Sequence, residues 1–306
     1  MSSVMKAVRF DRFGGPEVLH LAEVDVPEPG PGQVRVRVRT AGVNPFDGKV
    51  RAGLMEPVFH TPLPATPGLE VAGTIDAAGE GAEAGIGDEV LGWADTGSYA
   101  EYALATTVTG RPEGLSWEAA VAVPVAGSTA LRVLRLLELT GGETLLIHGA
   151  AGAVGTFAVQ LAVARGATVI GTAGPDNHGH VAALGAMPTE YGEGLVDRVR
   201  ELAPQGVDAV FDIAGKGALP ESVELRGSTD RIITIADPAA QSLGVSFSSG
   251  GPEDRSVADL AGLVAQVGRG ELAVTVAGTY PLSEAANAQR ASDAGHARGK
   301  FVITVG

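Results

Sequence analysis

The sequence predicts an α/β protein in two parts, a β-rich part first and a doubly wound parallel sheet second. Three observations predict it. From about residue 144 onward, strand-length and helix-length apolar patterns alternate, which calls for a parallel sheet with right-handed crossovers. The first of those strands, Thr144–His148, runs into a Gly/Ala turn, Ala150-x-Gly152-x-x-Gly155, that opens an amphipathic helix. Residues 4 to about 110 instead carry short β-branched runs separated by Gly/Pro clusters, the mark of a β-rich domain.

In the first part, strands are expected at 5–10, 19–26, 33–41, 72–78, 89–91 and 99–103. Residues 33–40 alternate strictly, so the valines form an apolar face and the arginines a solvated one. Ser116 is the expected N-cap of a helix with Glu118 in its first turn, and helical spacing continues past a break at Pro124 to Leu137. Strands are then expected at 144–148, 168–172, 188–191, 208–213 and 230–235, with helices at 153–164, 177–184, 195–203 and 217–225. A helix at 256–267, a strand at 272–277, a helix capped by Ser283 and a terminal strand at 300–305 complete the chain, the last returning to the β-rich part.

Composition limits the function. The chain has 306 residues, enough for two cores. Its net charge of −14 excludes non-specific nucleic-acid binding and attraction to an anionic membrane. A phosphorylated cofactor must therefore be held by local donors. With no cysteine, disulfides, thiolate metal sites and cysteine nucleophiles are excluded, and a reducing compartment fits. Residues 1–10 lack the apolar core of a signal peptide, and the longest charge-free apolar stretch, 119–131, is too short for a membrane span. A soluble cytoplasmic protein is expected. No G-x-S-x-G elbow anchors a serine hydrolase. His20, His60 and His296 have no evident partners, and His178 and His180 at i, i+2 share no helix face.

The turn carries the chemistry. Strand, glycine turn and helix start form a phosphate-binding corner, in which backbone N–H groups and the positive end of the helix dipole face a pyrophosphate. Ala150 stands at the first glycine position of the fingerprint. Gly152 lets the backbone approach the phosphates, Gly155 lets the helix lie close on the sheet, and Ala153 and Val154 supply first-turn N–H groups. NAD sites place an acid at the end of the second strand to bind the ribose hydroxyls. Here that strand ends in Thr172-Ala-Gly174 without one, which leaves room for the 2′-phosphate of NADPH. The donors Thr172, Asn177 and His178 follow, with Tyr191 beyond, and Asp176 is either a turn residue after Pro175, the favoured reading, or the ribose acid. Ala236 closes the strand expected to pass under the nicotinamide half, and Phe247 and Ser248 are lining candidates.

In order along the chain, Met5-Lys-Ala-Val-Arg-Phe, Ala41-Gly-Val-Asn-Pro-Phe-Asp47, Pro67-Gly-Leu-Glu-Val-Ala-Gly73, Gly87-Asp-Glu-Val90, Ala100-Glu-Tyr102, the run from His148 to Gly155 and Gly299-Lys-Phe-Val-Ile303 resemble the medium-chain dehydrogenase/reductase superfamily, in its zinc-free quinone oxidoreductase branch. The resemblance covers nearly the whole chain. It implies a GroES-like catalytic domain at 1–124 completed by 272–306, a Rossmann domain at 125–271, a cofactor cleft between them and a homodimer. Zinc-dependent relatives place ligands where this chain has Asn44 and Leu69. A leucine cannot ligate zinc and the four-cysteine lobe is missing, so no metal is expected. Glu70 then takes a structural role, oriented by a base or by backbone amides. The resemblance also implies that Thr129 and Phe301 lie near the nicotinamide, with a capping hydroxyl as the other reading of Thr129. It gives the residue at 178 as a lysine, which this chain lacks.

Without a Lewis acid, a simple ketone is poorly activated, whereas a quinone or an α,β-unsaturated carbonyl spreads its developing charge by conjugation. A few oriented donors then suffice. An NADPH-dependent quinone or enone reductase is therefore expected. Asn44 is the first candidate donor, against the reading of a turn asparagine before Pro45. Asp47 either relays a proton or caps the segment that follows; Tyr99 either lines the opening or packs in the core; Lys300 either reaches a phosphate or is solvated. The alternatives are an enoyl-thioester reductase of the same fold and a dinucleotide-binding sensor without turnover.

Overall fold

The computed structural model describes residues 3–295 and 297–306, so Met1, Ser2 and His296, the last singled out above, lie outside the described residues. The chain divides into two compact units, Met1–Val125 with Ser256–Glu271 and Thr275–Gly306, and Ala126–Arg255 with Leu272–Val274.

The second unit holds a six-stranded sheet in the order Met187–Thr189, Thr168–Thr172, Thr144–His148, Ala209–Asp212, Ile232–Thr234 and Ser246–Phe247, every pair parallel. In chain order within the unit this is 3-2-1-4-5-6, the Rossmann arrangement. The strand Thr144–His148 is buried at all its positions, as a parallel strand covered on both faces must be. Leu146, Ile170, Val210 and Ile232 form the core with Val199 and Leu219 from helices Leu195–Leu202 and Leu219–Arg226. The winding direction reverses between Thr144–His148 and Ala209–Asp212, and the carboxyl ends at such a switch point are where ligands of open α/β sheets bind.

In the first unit a seven-stranded sheet runs Val276–Pro281, Lys300–Thr304, Val34–Val43, Glu70–Ala78, Glu89–Trp93 and Thr107–Gly110, with Tyr102–Ala105 also paired to Val34–Val43. Only the first of these pairs is parallel. Val34, Val36 and Val38 point into the core while Arg37 and Arg39 are exposed and Arg35 pairs with Asp76 at 2.9 Å. The solvated-face reading holds for Arg37 and Arg39 but not for Arg35, whose side chain is 15% exposed and lies over the Tyr102 ring. Val4–Arg9 and His20–Asp25 form a separate hairpin.

Several elements depart from expectation for local reasons. The strand expected at 99–103 begins only at Tyr102, because Tyr99 gives its carbonyl to Val8 N at 2.8 Å and Ala100 bridges to Ala7. The strand expected at 272–277 is Val276–Pro281. Ala273 is held away by Gln160, which accepts from its N–H at 2.7 Å and donates to its carbonyl at 3.0 Å. Ser283 caps nothing: it sits inside a 3-10 turn, Leu282–Glu284, and the helix Ala285–Ala294 starts after it. The helix Val257–Gly268, which the sequence assigns to the nucleotide domain, packs with the first unit against Thr107–Gly110. By length and hydropathy the run Trp117–Leu136 reaches the size of a membrane span, contrary to the estimate above. It divides into Trp117–Val121, capped by Ser116, and Pro124–Leu136, and 56% of its most apolar window is buried. It is a core element of this fold.

Candidate active site

In the second unit the glycine corner is built from backbone. Gly149 turns the chain at φ +83°, Gly152 is the N-cap at ψ 177°, and helix Ala153–Ala164 follows. Gly155 is obligatory for packing, since a Cβ there would lie 2.3 Å from the Gly149 carbonyl oxygen and 2.6 Å from the Ala150 carbonyl carbon. Gly152 is different. A Cβ there would meet nothing closer than the Gly149 carbonyl oxygen at 3.6 Å. No side chain caps this helix, so its first-turn N–H groups, Ala153 to Gly155, lack partners within the helix and stand ready for an anion.

Thr172 supports this turn rather than reaching outward, a correction to its expected place among the outward donors. It is 2% exposed, its hydroxyl accepts from Gly149 N at 3.2 Å and its carbonyl from Ala150 N at 3.0 Å. Asn177 ends a 3-10 turn, Pro175–Asn177, and is half-buried. His178 opens the helix that follows, with its Nε2 3.2 Å from the Ala173 carbonyl. Tyr191 is 55% exposed, and its hydroxyl lies 3.9 Å from where a Cβ of Gly174 would stand. Tyr191 thus lies beside Gly174, at the head of the turn.

The carboxyl ends of the next two strands are tied by Asp212, which is fully buried. Its Oδ1 accepts from Ala214 N and Gly215 N at 3.1 and 3.0 Å, and its Oδ2 from the Thr234 hydroxyl at 2.7 Å. Gly215, at φ +58°, leaves no room for a side chain against Ala236, whose backbone carbon would be 2.6 Å away. Ala236 itself is half-buried, and Phe247 is 51% exposed on the edge strand. His148 packs beneath the corner, Nε2 against the Ser222 hydroxyl at 2.9 Å, and burial pushes its pKa down. Thr129 lies within helix Pro124–Leu136, not at its start, so it does not cap the helix.

In the first unit three strand ends meet. Gly42 pairs with Glu70 and Val43 with Phe301 across the antiparallel ladders, so the next residues on either side, Asn44 and Lys300, face each other. Glu70, Lys300 and Asn44 are 0%, 3% and 6% exposed. Glu70 Oε2 accepts from Asn44 Nδ2 at 2.9 Å and from the Lys300 ammonium, and Glu70 Oε1 accepts from Val125 N at 2.7 Å. Lys300 Nζ also donates to Asn44 Oδ1 at 2.6 Å. Glu70 is thus held by a base and a backbone amide, as the resemblance implies. Lys300 is neither solvated nor reaching for a phosphate, which corrects both readings of it. A buried carboxylate without a counter-charge is costly, and this cation offsets it.

Asn44 precedes helix Pro45–Arg51, but its side chain is turned to Glu70 and Lys300, through one Nδ2 hydrogen and Oδ1. The capping is done by Asp47, which accepts from Asn44 N at 2.8 Å and also from the Tyr99 hydroxyl at 3.2 Å. Burial raises Asp47 to a pKa of about 7, against the lowering effects of the Asn44 N–H and the Lys300 charge. Tyr99 is a core residue, fully buried, and burial together with Asp47 holds its phenol well above the usual value. Phe301 packs edge-on against Tyr280, ring centroids 6.0 Å apart. His20 and His60 do have partners, Asp11 at 3.4 Å and Glu56 at 3.1 Å. Among the described residues no three His, Cys, Asp or Glu side chains group as metal ligands would.

Each unit thus prepares polar groups of its own, a backbone anion cradle in one and a buried cluster of oriented side chains in the other. The pairing of Lys300 with Glu70 and Asn44 is what sequence reasoning missed. The available signal was an acid, Glu70, and a base, Lys300, each standing at the head of a strand and followed by apolar residues.

Comparison with known proteins agrees with this geometry. The family described as "Alcohol dehydrogenase GroES-like domain" matches residues 30–129, and that described as "Zinc-binding dehydrogenase" matches 184–303. A quinone oxidoreductase from Sus scrofa is 33% identical over 322 aligned residues, covering 97% of this chain and 95% of that protein. A solved NAD-dependent alcohol dehydrogenase superposes with a TM-score of 0.88 at 29% identity over 99% of this chain and 100% of that one. A mycobacterial protein solved in complex with NADPH gives a TM-score of 0.83 at 27% identity over 98% and 99%.

Proposed function

Since this chain belongs to the quinone oxidoreductase branch of the medium-chain dehydrogenase/reductase superfamily, and is therefore an oxidoreductase of quinones or enones, we propose that it uses NADPH and works without zinc. The observation that carries the cofactor reading is the open position beside Gly152, next to three N–H groups with no partner in their helix. A diphosphate fits there on steric and electrostatic grounds. Absence of an acid at the end of strand Thr168–Thr172 favours a 2′-phosphate, with Asn177 and Tyr191 as its nearest candidate neighbours. Ala150, Ala236, Phe247 and Thr129 complete the proposed cofactor surface of the second unit, and Phe301 is the residue of the first unit proposed to serve the nicotinamide.

The bound dinucleotide supplies a hydride, and the chain's own residues do the rest. Ala153, Val154 and Gly155 orient the diphosphate through their N–H groups. Asn44 donates a hydrogen bond to the acceptor's carbonyl oxygen, where negative charge develops. Asp47, with a pKa of about 7, exchanges a proton in the working range and lies one hydrogen bond from the Asn44 backbone. The zinc-free reading rests on the donor set: the lone pairs of Glu70 and Asn44 that would face a metal are already engaged by the Lys300 ammonium. The reading includes a homodimer in the cytoplasm.

The test is oxidation of NADPH and of NADH with 1,4-benzoquinone and with a simple enone, each with and without a chelator. A kcat/KM higher for NADPH and untouched by the chelator is expected. Preference for NADH would overturn the cofactor assignment, and chelator-sensitive turnover would overturn the metal-free one.

A further inference from the structure

We propose that Lys300 is a positioning residue that fixes which face of the Asn44 amide is presented to the acceptor, so that Asn44 offers an N–H and not a carbonyl oxygen. The inference rests on the quinone and enone reading above.

An asparagine amide can turn over, exchanging its oxygen and nitrogen, unless its neighbours discriminate between them. Here they do. Lys300 is a donor only, and it sits on Asn44 Oδ1 at 2.6 Å. An ionised carboxylate is an acceptor only, and Glu70 Oε2 receives Asn44 Nδ2 at 2.9 Å. One hydrogen of Nδ2 is used in that bond, and the second has no partner among the described residues. That second N–H is the group available to a carbonyl.

Lys300 acts twice in this arrangement. It holds Oδ1 directly, and it pairs with the same Glu70 oxygen, Oε2, that receives Asn44 Nδ2, so the acceptor is seated against the amide nitrogen. Without the ammonium, Oδ1 loses the donor-only neighbour that distinguishes it from Nδ2, and the amide is held from one side only. The cluster is built for this packing: a Cβ on Gly42 would lie 2.2 Å from Glu70 Oε2 and 3.0 Å from Lys300 Cε. The titratable groups around Glu70 are Lys300 from the terminal strand, Asp47 from helix Pro45–Arg51 and Tyr99.

The experiment compares Lys300→Met, Lys300→Arg and the double variant Glu70→Gln/Lys300→Met with the wild-type chain. Quinone turnover is measured from pH 6 to 10 on the roughly flat part of the NADPH saturation curve, NADPH affinity by fluorescence, and the Asn44 side-chain NH2 pair by 1H–15N correlation. Lys300→Met is expected to lose about tenfold to 100-fold in kcat at neutral pH. Lys300→Arg, which still donates, restores most of the rate. The double variant leaves no stranded charge, so it folds if the single one does not; the amide it introduces in place of the carboxylate can donate or accept, so its rate stays low at every pH. NADPH affinity stays within about twofold throughout, and the Asn44 NH2 resonances move in both Met variants. Wild-type turnover in Lys300→Met with unshifted Asn44 resonances would overturn the proposal, as would a loss of NADPH affinity equal to the loss of rate. If the wild-type chain reduces no quinone or enone, the functional reading fails, while the Asn44 resonances still decide the orienting role of Lys300.

Discussion

The glycine corner of the second unit and the Asn44 cluster of the first prepare polar groups for a ligand by opposite means. The corner uses backbone alone: Gly149, Gly152 and Gly155 shape it, and the N–H groups of one helix turn do the recognising. The cluster uses side chains, with Asn44, Glu70 and Lys300 drawn from positions far apart in the chain and joined by sheet register. A backbone cradle fails when atoms are added to it. A side-chain cluster fails when a charge is taken away.

Four substitutions sharpen that contrast. The largest effect concerns Asp47. Its carboxyl has an ordinary pKa of 3.8 when unfolded and about 7 when folded, so the folded state binds the extra proton between those values. The stability this group contributes is fully present below pH 3.8 and lost as pH rises through about 7. Asp47→Asn is expected to remove that decline, which amounts to at most about 1.4 kcal/mol per pH unit in the window. Urea unfolding at pH 4, 5.5 and 7 measures it, and parallel slopes for the two proteins would refute it.

Next, Gly155→Ala is expected to cost about 3 kcal/mol, because its methyl meets fixed backbone and not a flexible side chain; thermal unfolding reads this directly. Asn44→Leu should lower kcat/KM for quinone about 100-fold with little change in NADPH affinity, which steady-state kinetics and a binding titration separate. Smallest is Gly152→Ala. The fold has room for its methyl, so the melting temperature should hold, while dinucleotide affinity falls about tenfold, or about 1.4 kcal/mol. A melting temperature lowered as far as that of Gly155→Ala would show that the two glycines serve the same purpose, and the contrast between packing and access would be gone.

The same contrast governs what the sequence reveals. Thr144–His148 and Ala153–Ala164 were legible because the corner is local: strand, turn and helix lie within a single run of residues, and each glycine has a conformational reason. Asn44 and Asp47 were legible as candidates for the same reason, being close together in one motif. The role of Lys300 was not, since it depends on Val43 pairing with Phe301 and Gly42 with Glu70, a register that periodicity does not specify. Thr172 misled for a related reason. A threonine at a strand end looks like an outward donor, and only the turn above it shows that its hydroxyl faces Gly149 N. The strand at Val276–Pro281 was misplaced because a distant side chain, Gln160, captures Ala273 first.

The terminal strand Lys300–Thr304 sits between Val276–Pro281 and Val34–Val43. A ribosome therefore delivers the counter-charge for Glu70 only after the whole Rossmann sheet has emerged. Until then the nascent β-rich sheet has an open seam and Glu70 lacks its partner. Closing that seam and seating the ammonium are one event, so premature termination before Lys300 leaves an unfinished sheet edge open to aggregation.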